Sequence, residues 1–317
     1  MHPFALALAA LVTPLAGVDA PAPRPEARIV LAAMLDTTPE TGPQCNNRGD
    51  TEIFTVAPDG SDLRQLTDNR MHESTPAWSP DHSRIVFARR PPMHRDPGYD
   101  TDLFVMRPGG THARRLTGGG PNDRDPAWSP NGGRIAFLRQ YPEAPGRVGS
   151  ADRLAMMVVR TDGSGLERLG KPQRNVGDPT PTWSPDGAEI AYTRGREPVS
   201  KILAGPPGGE TRTLLQDGKR ELSRADWSPR GGWIAYTSFR MNERIERVRT
   251  DGSRREVLSP QDSFGAHSPA WSPRGNRIAY AGRADGCLTH VFRMTADGNK
   301  HRDLLKGLDL EVYSLDW

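Results

Sequence analysis

Beyond Gly17 the sequence holds no apolar run long enough to span a bilayer, and no long amphipathic helical pattern. Lysine is scarce: it occurs at 171, 201, 219, 300 and 306, while arginine supplies the rest of the 42 cations. Those cations face 39 acidic residues and alternate with them along the chain, so no tract of one sign offers a nucleic-acid footprint. The arginine bias reads as genome composition rather than phosphate recognition. There is no Asn-x-Ser/Thr sequon and no Gly-x-Ser-x-Gly elbow, and Cys45 and Cys287 are the only cysteines. What the chain has in plenty is turn residues, 33 Gly and 30 Pro, which suits many short strands.

Aromatic residues make up only 7% of the chain, so the placement of the tryptophans is informative. Trp78, Trp128, Trp183, Trp227, Trp271 and Trp317 recur at spacings of 50, 55, 44, 44 and 46 residues. Five stand in one local frame, as in Pro126-Ala127-Trp128-Ser129-Pro130-Asn131-Gly132 followed by Arg134-Ile135-Ala136-Phe137, and Trp317 closes a truncated copy. The frame reads as a strand ending on an apolar anchor, a tight turn and a second strand. Pro presets φ in the turn, and Gly or Asn accepts a positive one. A second hairpin follows in each period, at Asp59-Gly60, Gly109-Gly110, Asp162-Gly163, Gly208-Gly209, Asp251-Gly252 and Asp297-Gly298, and then a strand such as Leu63–Thr67 or Ala113–Thr117. Four strands per period of this length make a propeller blade.

The first strand of the first period is missing at the N-terminus. Ala27–Ala32 matches a second strand, and the absent inner strand is found at the far end, in Glu311–Trp317. The sequence therefore predicts an all-β fold: a six-bladed β-propeller of four-stranded antiparallel blades, closed by a blade shared between the termini, so that no open seam is left. Insertions at 89–100 and 140–151 read as surface loops between second and third strands. Trp233 alone stands off the frame, either exposed in a patch or capping a neighbouring blade.

The apolar run Phe4–Gly17, followed by small residues, reads as a signal peptide over residues 1–20, with an uncleaved membrane anchor as the alternative. Residues 21–27 are a Pro-rich linker and residues 28–317 the propeller. Export is expected, to the periplasm or beyond, and a disulfide between Cys45 and Cys287 suits it.

The pattern x-Pro-x-Trp-Ser-Pro-Asp-Gly-x-x-Ile-Ala-Phe, an Asp-Gly hairpin and Arg-x-Leu-Thr resembles the WD40-like (PD40) repeats of the TolB β-propeller family, over about residues 28–317. The resemblance implies the propeller fold and a place in the cell envelope, where TolB proteins work with the Pal lipoprotein. True TolB proteins carry an α/β domain ahead of the propeller, and the chain shows no such segment. Related repeats also precede the hydrolase domain of prolyl-oligopeptidase-like peptidases.

No catalytic signature emerges. His72-Glu73 is followed by Ser74-Thr75-Pro76 rather than a zinc-protease helix, Gly118-Gly119-Gly120 lacks the Lys-Ser/Thr of a phosphate loop, and the Asp-Gly hairpins lack the alternating carboxylates of a calcium loop. No cofactor is expected. The remaining place for function is the mouth of the ring, where segments three to six residues before each motif tryptophan converge. They contribute His72, Glu73, Arg124, Asp125, Asp178, Arg224, His267 and Tyr313. Variable loop residues meeting at the mouth suit a protein or peptide partner, bound by a monomer. Two alternatives stand beside this one: a metal-assisted lyase or hydrolase using His72, His267 and the mouth carboxylates, and an anchored sensor ectodomain.

Overall fold

The computed structural model describes residues 27–35, 50–91, 101–119, 122–141, 153–174, 179–195, 199–260, 265–284, 288–308 and 310–317. Residues 1–26, Cys45, Cys287 and Asp178 lie outside these. The described residues form six four-stranded antiparallel sheets.

The first blade is shared between the termini: β1 (Ile29–Leu35), β2 (Glu52–Val56) and β3 (Arg64–Gln65) take β24 (Leu310–Asp316) as their inner strand. The second blade is β4 (His72–Trp78), β5 (Ile85–Arg90), β6 (Asp102–Met106) and β7 (Arg114–Arg115), and the third is β8 (Asn122–Trp128), β9 (Arg134–Tyr141), β10 (Arg153–Arg160) and β11 (Glu167–Gln173). The fourth is β12 (Thr182–Trp183), β13 (Ile190–Arg194), β14 (Ser200–Gly205) and β15 (Arg212–Asp217). The fifth is β16 (Glu221–Trp227), β17 (Trp233–Phe239), β18 (Glu243–Arg249) and β19 (Arg255–Val257). The sixth is β20 (His267–Trp271), β21 (Arg277–Arg283), β22 (Thr289–Thr295) and β23 (Arg302–Asp303).

Alternation along the strands glues the blades together. In β1, Ile29 and Leu31 pack toward the sixth blade with Ala279 and Val291, while Val30 and Ala32 pack toward the second with Ile85 and Phe87. Closure rests on a ladder from Val30↔Asp316 to Leu35↔Leu310, and the Trp317 indole donates to the Ala27 carbonyl at 2.7 Å.

One expectation is refined. The outer strands are shorter than the Leu63–Thr67 and Ala113–Thr117 patterns suggest: the Leu66 and Leu116 amides still donate to the Ile53 and Leu103 carbonyls, at 2.8 and 2.7 Å, but the Thr backbone does not complete the pair. There Thr67 and Thr117 use their hydroxyls to accept the Ile53 and Leu103 amides, at 2.8 and 3.0 Å. The inner strand of the fourth blade, β12, has only two residues. The seam between the third and fourth blades has the smallest apolar cluster, and beside it lies a cleft of about 440 Å³ lined by Leu138, Met156, Leu169 and Tyr192. Trp233 caps a seam: it is half-buried against the cluster of Ile278 and Met294, with the Arg247 guanidinium 4.1 Å over its ring.

Candidate binding mouth and axial cavity

Strand direction sorts the loops onto two faces. The connections into each inner strand and the second-to-third-strand loops share one face, called here the strand-start face. The tryptophan turns and the Asp-Gly hairpins share the other.

Each turn is built by its own residues. In the third blade the Ser129 hydroxyl accepts the Arg134 amide at 2.9 Å, the Asn131 carboxamide oxygen accepts the Gly133 amide at 3.0 Å, and Gly132 takes a φ of 67°. In the second blade His82 occupies the glycine position, with φ 55° and its ring 5.2 Å from that of Trp78. The sequence carries a signal for this, since Asp81-His82-Ser83 stands where another copy has Asn131-Gly132-Gly133.

The inner strands run past the axis rather than merely leading toward it, so residues expected in the approach segments are already paired. In four blades the ladder breaks three residues before the tryptophan. There Thr75, Asp125, Arg224 and Ser268 adopt φ values of 46°, 53°, 49° and 54°. Pro76, Pro126 and Pro269 follow the break in three of these blades; a residue with no amide hydrogen fits a bulge better than a ladder. The bulged residues form a polar collar. The Thr75 amide donates to Ser314 Oγ at 3.1 Å and the Asp125 amide to Thr75 Oγ1 at 3.3 Å, linking three blades in sequence.

Below the collar the residue preceding each tryptophan is Ala77, Ala127, Thr182, Asp226, Ala270 or Asp316. The polar ones fasten the next blade: Asp316 accepts the Trp78 amide at 2.8 Å, Asp226 that of Trp271 at 2.7 Å, and Thr182 that of Trp227 at 3.0 Å. The two carboxyls sit deep in the ring, and the surface they keep opens onto an axial cavity of about 440 Å³ lined by all six blades. Burial, and next the charge of Asp316, push the Asp226 carboxyl up to about 7; burial likewise raises that of Asp316. Five indoles donate across or within the ring, as Trp128 does to the Ala77 carbonyl at 3.1 Å, but Trp78 Nε1 is buried without an acceptor. His82 Nδ1 and Thr180 Oγ1, which also line this cavity, likewise have no partner among the described residues, and the same holds for the Trp78 indole. Sequence reading passed over these positions because it stopped three residues short of the tryptophan.

The residues expected at the mouth separate into groups. Glu73 has no exposed surface and is locked in the seam by Arg89 at 2.8 Å and Asn69 at 3.0 Å. His72 joins the same seam, with Thr51 Oγ1 2.6 Å from its Nδ1. The same cross-strand pairing recurs one blade on, where Asp123 meets Arg139 at 2.7 and 2.8 Å; the shared offset of 16 residues was visible in the sequence. Arg124 pairs with Asp125 at 2.8 Å. Arg224 lies close enough to His267 and Glu243 to influence both, and His267 Nδ1 is 2.9 Å from Ser268 Oγ. Burial lowers His72 and His267 to about 4 each, so both imidazoles are neutral at physiological pH. Tyr313 is exposed and donates to Glu311 at 3.0 Å. Among the described residues no three His, Cys, Asp or Glu side chains converge as metal ligands.

The strand-start face has a second property. Of the seven exposed large apolar side chains among the described residues, Val199, Phe239, Met241, Leu308 and Tyr313 lie on it, on the fourth and fifth blades and on the path from the sixth blade into β24. Met241 is 87% exposed.

The family model of the TolB beta propeller domain matches residues 148–315. No curated protein matches the sequence. Among solved structures, TolB from Acinetobacter baumannii is 18% identical, with a TM-score of 0.71 over 93% of this chain and 67% of that one. The nidogen/laminin complex gives 14% identity and a TM-score of 0.64 over 92% of this chain and 98% of that one. An oligogalacturonate lyase in complex with manganese gives 11% and 0.56, over 80% of this chain and 70% of that one.

Proposed function

The chain belongs to the TolB β-propeller family, and from that membership we propose that it is a non-catalytic propeller of the cell envelope that binds a protein or peptide partner on its strand-start face. One observation carries this reading: among the described residues, five of the seven exposed large apolar side chains stand on that face. Apolar groups gathered on one surface of a soluble ring mark a contact site, whereas scattered ones do not. The neutral His72 and His267 and the seam-bound Glu73 favour recognition over acid–base chemistry. Nidogen, a ring of similar fold, was solved with laminin, another protein.

In this reading residues 1–20 direct export to the periplasm or beyond, residues 21–27 link to the propeller, and the monomer carries a Cys45–Cys287 bridge. Thiol titration of the denatured, unreduced protein tests the bridge: two free thiols would refute it. For the binding face, a partner captured from an envelope extract is titrated by calorimetry against two sets of Ala variants. Changes at Arg224, Tyr313 and Met241 are expected to weaken binding, and changes at Asp59, Asp251 and Asp297 to leave it unaltered. The reverse pattern would assign the opposite face.

A further inference from the structure

Resting on the reading of the strand-start face as the docking surface, we propose that its arc from the fourth blade round to β24 takes an acidic segment of a partner protein, anchored by an apolar side chain. Exposed cations punctuate the apolar residues along this arc. Lys219 lies in the connection into β16, Arg240 in the turn between Phe239 and Met241, Arg283 at the end of β21, and Lys306 in the connection that carries Leu308 into β24. On this face of the fourth, fifth and sixth blades and of the connection into β24, no acidic side chain among the described residues is comparably open. Glu221, Glu243 and Glu311 are half-buried, and Asp217 is buried and bound to Arg255 at 2.7 Å. Burial and the neighbouring Arg224 act on Glu243 in opposite directions, so part of what negative charge the arc has is already answered from within.

An apolar surface alone would not say what covers it; the charge does. Four open cations along an arc that carries exposed Phe239 and Met241 repel a basic partner and draw in an acidic one, speeding encounter and fixing orientation. The apolar side chains supply what charge cannot, a desolvated anchor at the centre of the contact. Past β24 the same face changes in kind: before β2 and in the connection from β3 into β4, Asp50, Asp68 and Arg70 are exposed, with no exposed large apolar residue among the described ones there.

The test uses the full chain and fluorescein-labelled synthetic peptides of alternating Glu and Ser, with or without a central Phe, read by anisotropy. A Lys counterpart and vesicles of anionic lipid serve as competing probes. The acidic peptide with Phe is expected to bind, to lose about tenfold in affinity in Lys219→Glu/Arg240→Glu, and to weaken further as salt rises from low to physiological strength. Removing the peptide's Phe, or the double change Phe239→Ser/Met241→Ser, is expected to cost a comparable factor. Arg107→Glu, on the opposite face, is expected to change nothing. Preference for the Lys peptide, for vesicles, or for none of the probes would overturn the inference. If the acidic peptide binds but responds only to Arg124→Ala or Asp125→Ala, the arc is wrong while the face stands. If it responds only to Arg107→Glu, the reading of the face falls as well.

Discussion

At the residue scale the six motif tryptophans look interchangeable and are not. Trp78 and Trp128 are each 7% exposed, so their burial is matched. Trp128 donates its indole hydrogen to Ala77 and lies under the Arg84 guanidinium, 4.9 Å from its ring centroid; Trp78 Nε1 has no acceptor among the described residues. Replacing Trp128 by Phe removes a bond and strands a carbonyl, whereas replacing Trp78 removes a donor that was already unpaired. Trp128→Phe is therefore expected to cost about 1–2 kcal/mol more than Trp78→Phe in denaturant titrations. Equal losses would mean that the Trp78 indole has a partner. Asp226 gives a pH-dependent counterpart. Its folded-state value of about 7 lies above the ordinary carboxylate value, so the folded protein holds this proton more tightly than the unfolded chain. Its contribution to stability is full below the ordinary value and is lost as pH rises through about 4 to about 7. Asp226→Asn removes that dependence. The stability difference between variant and wild type is expected to shift in favour of the variant across this window, by about 2–4 kcal/mol in total. A flat difference would show that the carboxyl is not held in this state.

At the scale of strands and blades, charge pairs inside the seams and the shared blade carry the structure. Glu73 and Arg89 are direct cross-strand partners, and the carboxylate is fully buried. Arg89→Ala alone leaves that charge without its cation and is expected to cost about 3–5 kcal/mol, while replacing both partners with apolar residues costs much less. Urea melts of the single and double variants measure the difference, and a double variant as unstable as the single one would contradict it. The shared blade is tested by removing residues 312–317. The deletion takes out most of β24, the Trp317 bond to Ala27 and the Asp316 acceptor for Trp78. The buried indole alone is worth about 3–5 kcal/mol, so the truncated ring is expected to melt far below the whole one. A melting temperature within a degree or two of the full-length value would count against closure by the C-terminal strand.

At the scale of the whole molecule, much of the fold was legible because the repeat writes it six times over. Trp-Ser-Pro-Asp-Gly encodes a turn whose Ser and Asp side chains complete it locally, and Asp-Gly encodes the next hairpin, so each copy confirms the others. The split blade was readable from a second strand at Ile29 with no first strand before it. The site was less legible, for physical reasons. The bulges three residues before the tryptophan come from pairing between strands, and they move side chains by a position that periodicity alone does not reveal. Glu73 reads as a mouth carboxylate until its partner Arg89 is seen across the ladder, and Asp226 and Asp316 are notable only once the axis is known. The apolar arc joins three segments far apart in sequence, Val199, Phe239 with Met241, and Leu308 with Tyr313, which share a face only through the ring.

Site-specific photo-crosslinking decides whether the proposed strand-start face meets a protein. A benzophenone amino acid is placed at Met241, Phe239 or Tyr313 on that face, and at Asp59, Asp251 or Asp297 on the other, and each variant is irradiated in an envelope extract. The account expects a discrete crosslinked protein from the first set and none from the second. A discrete product from the hairpin positions alone would contradict it.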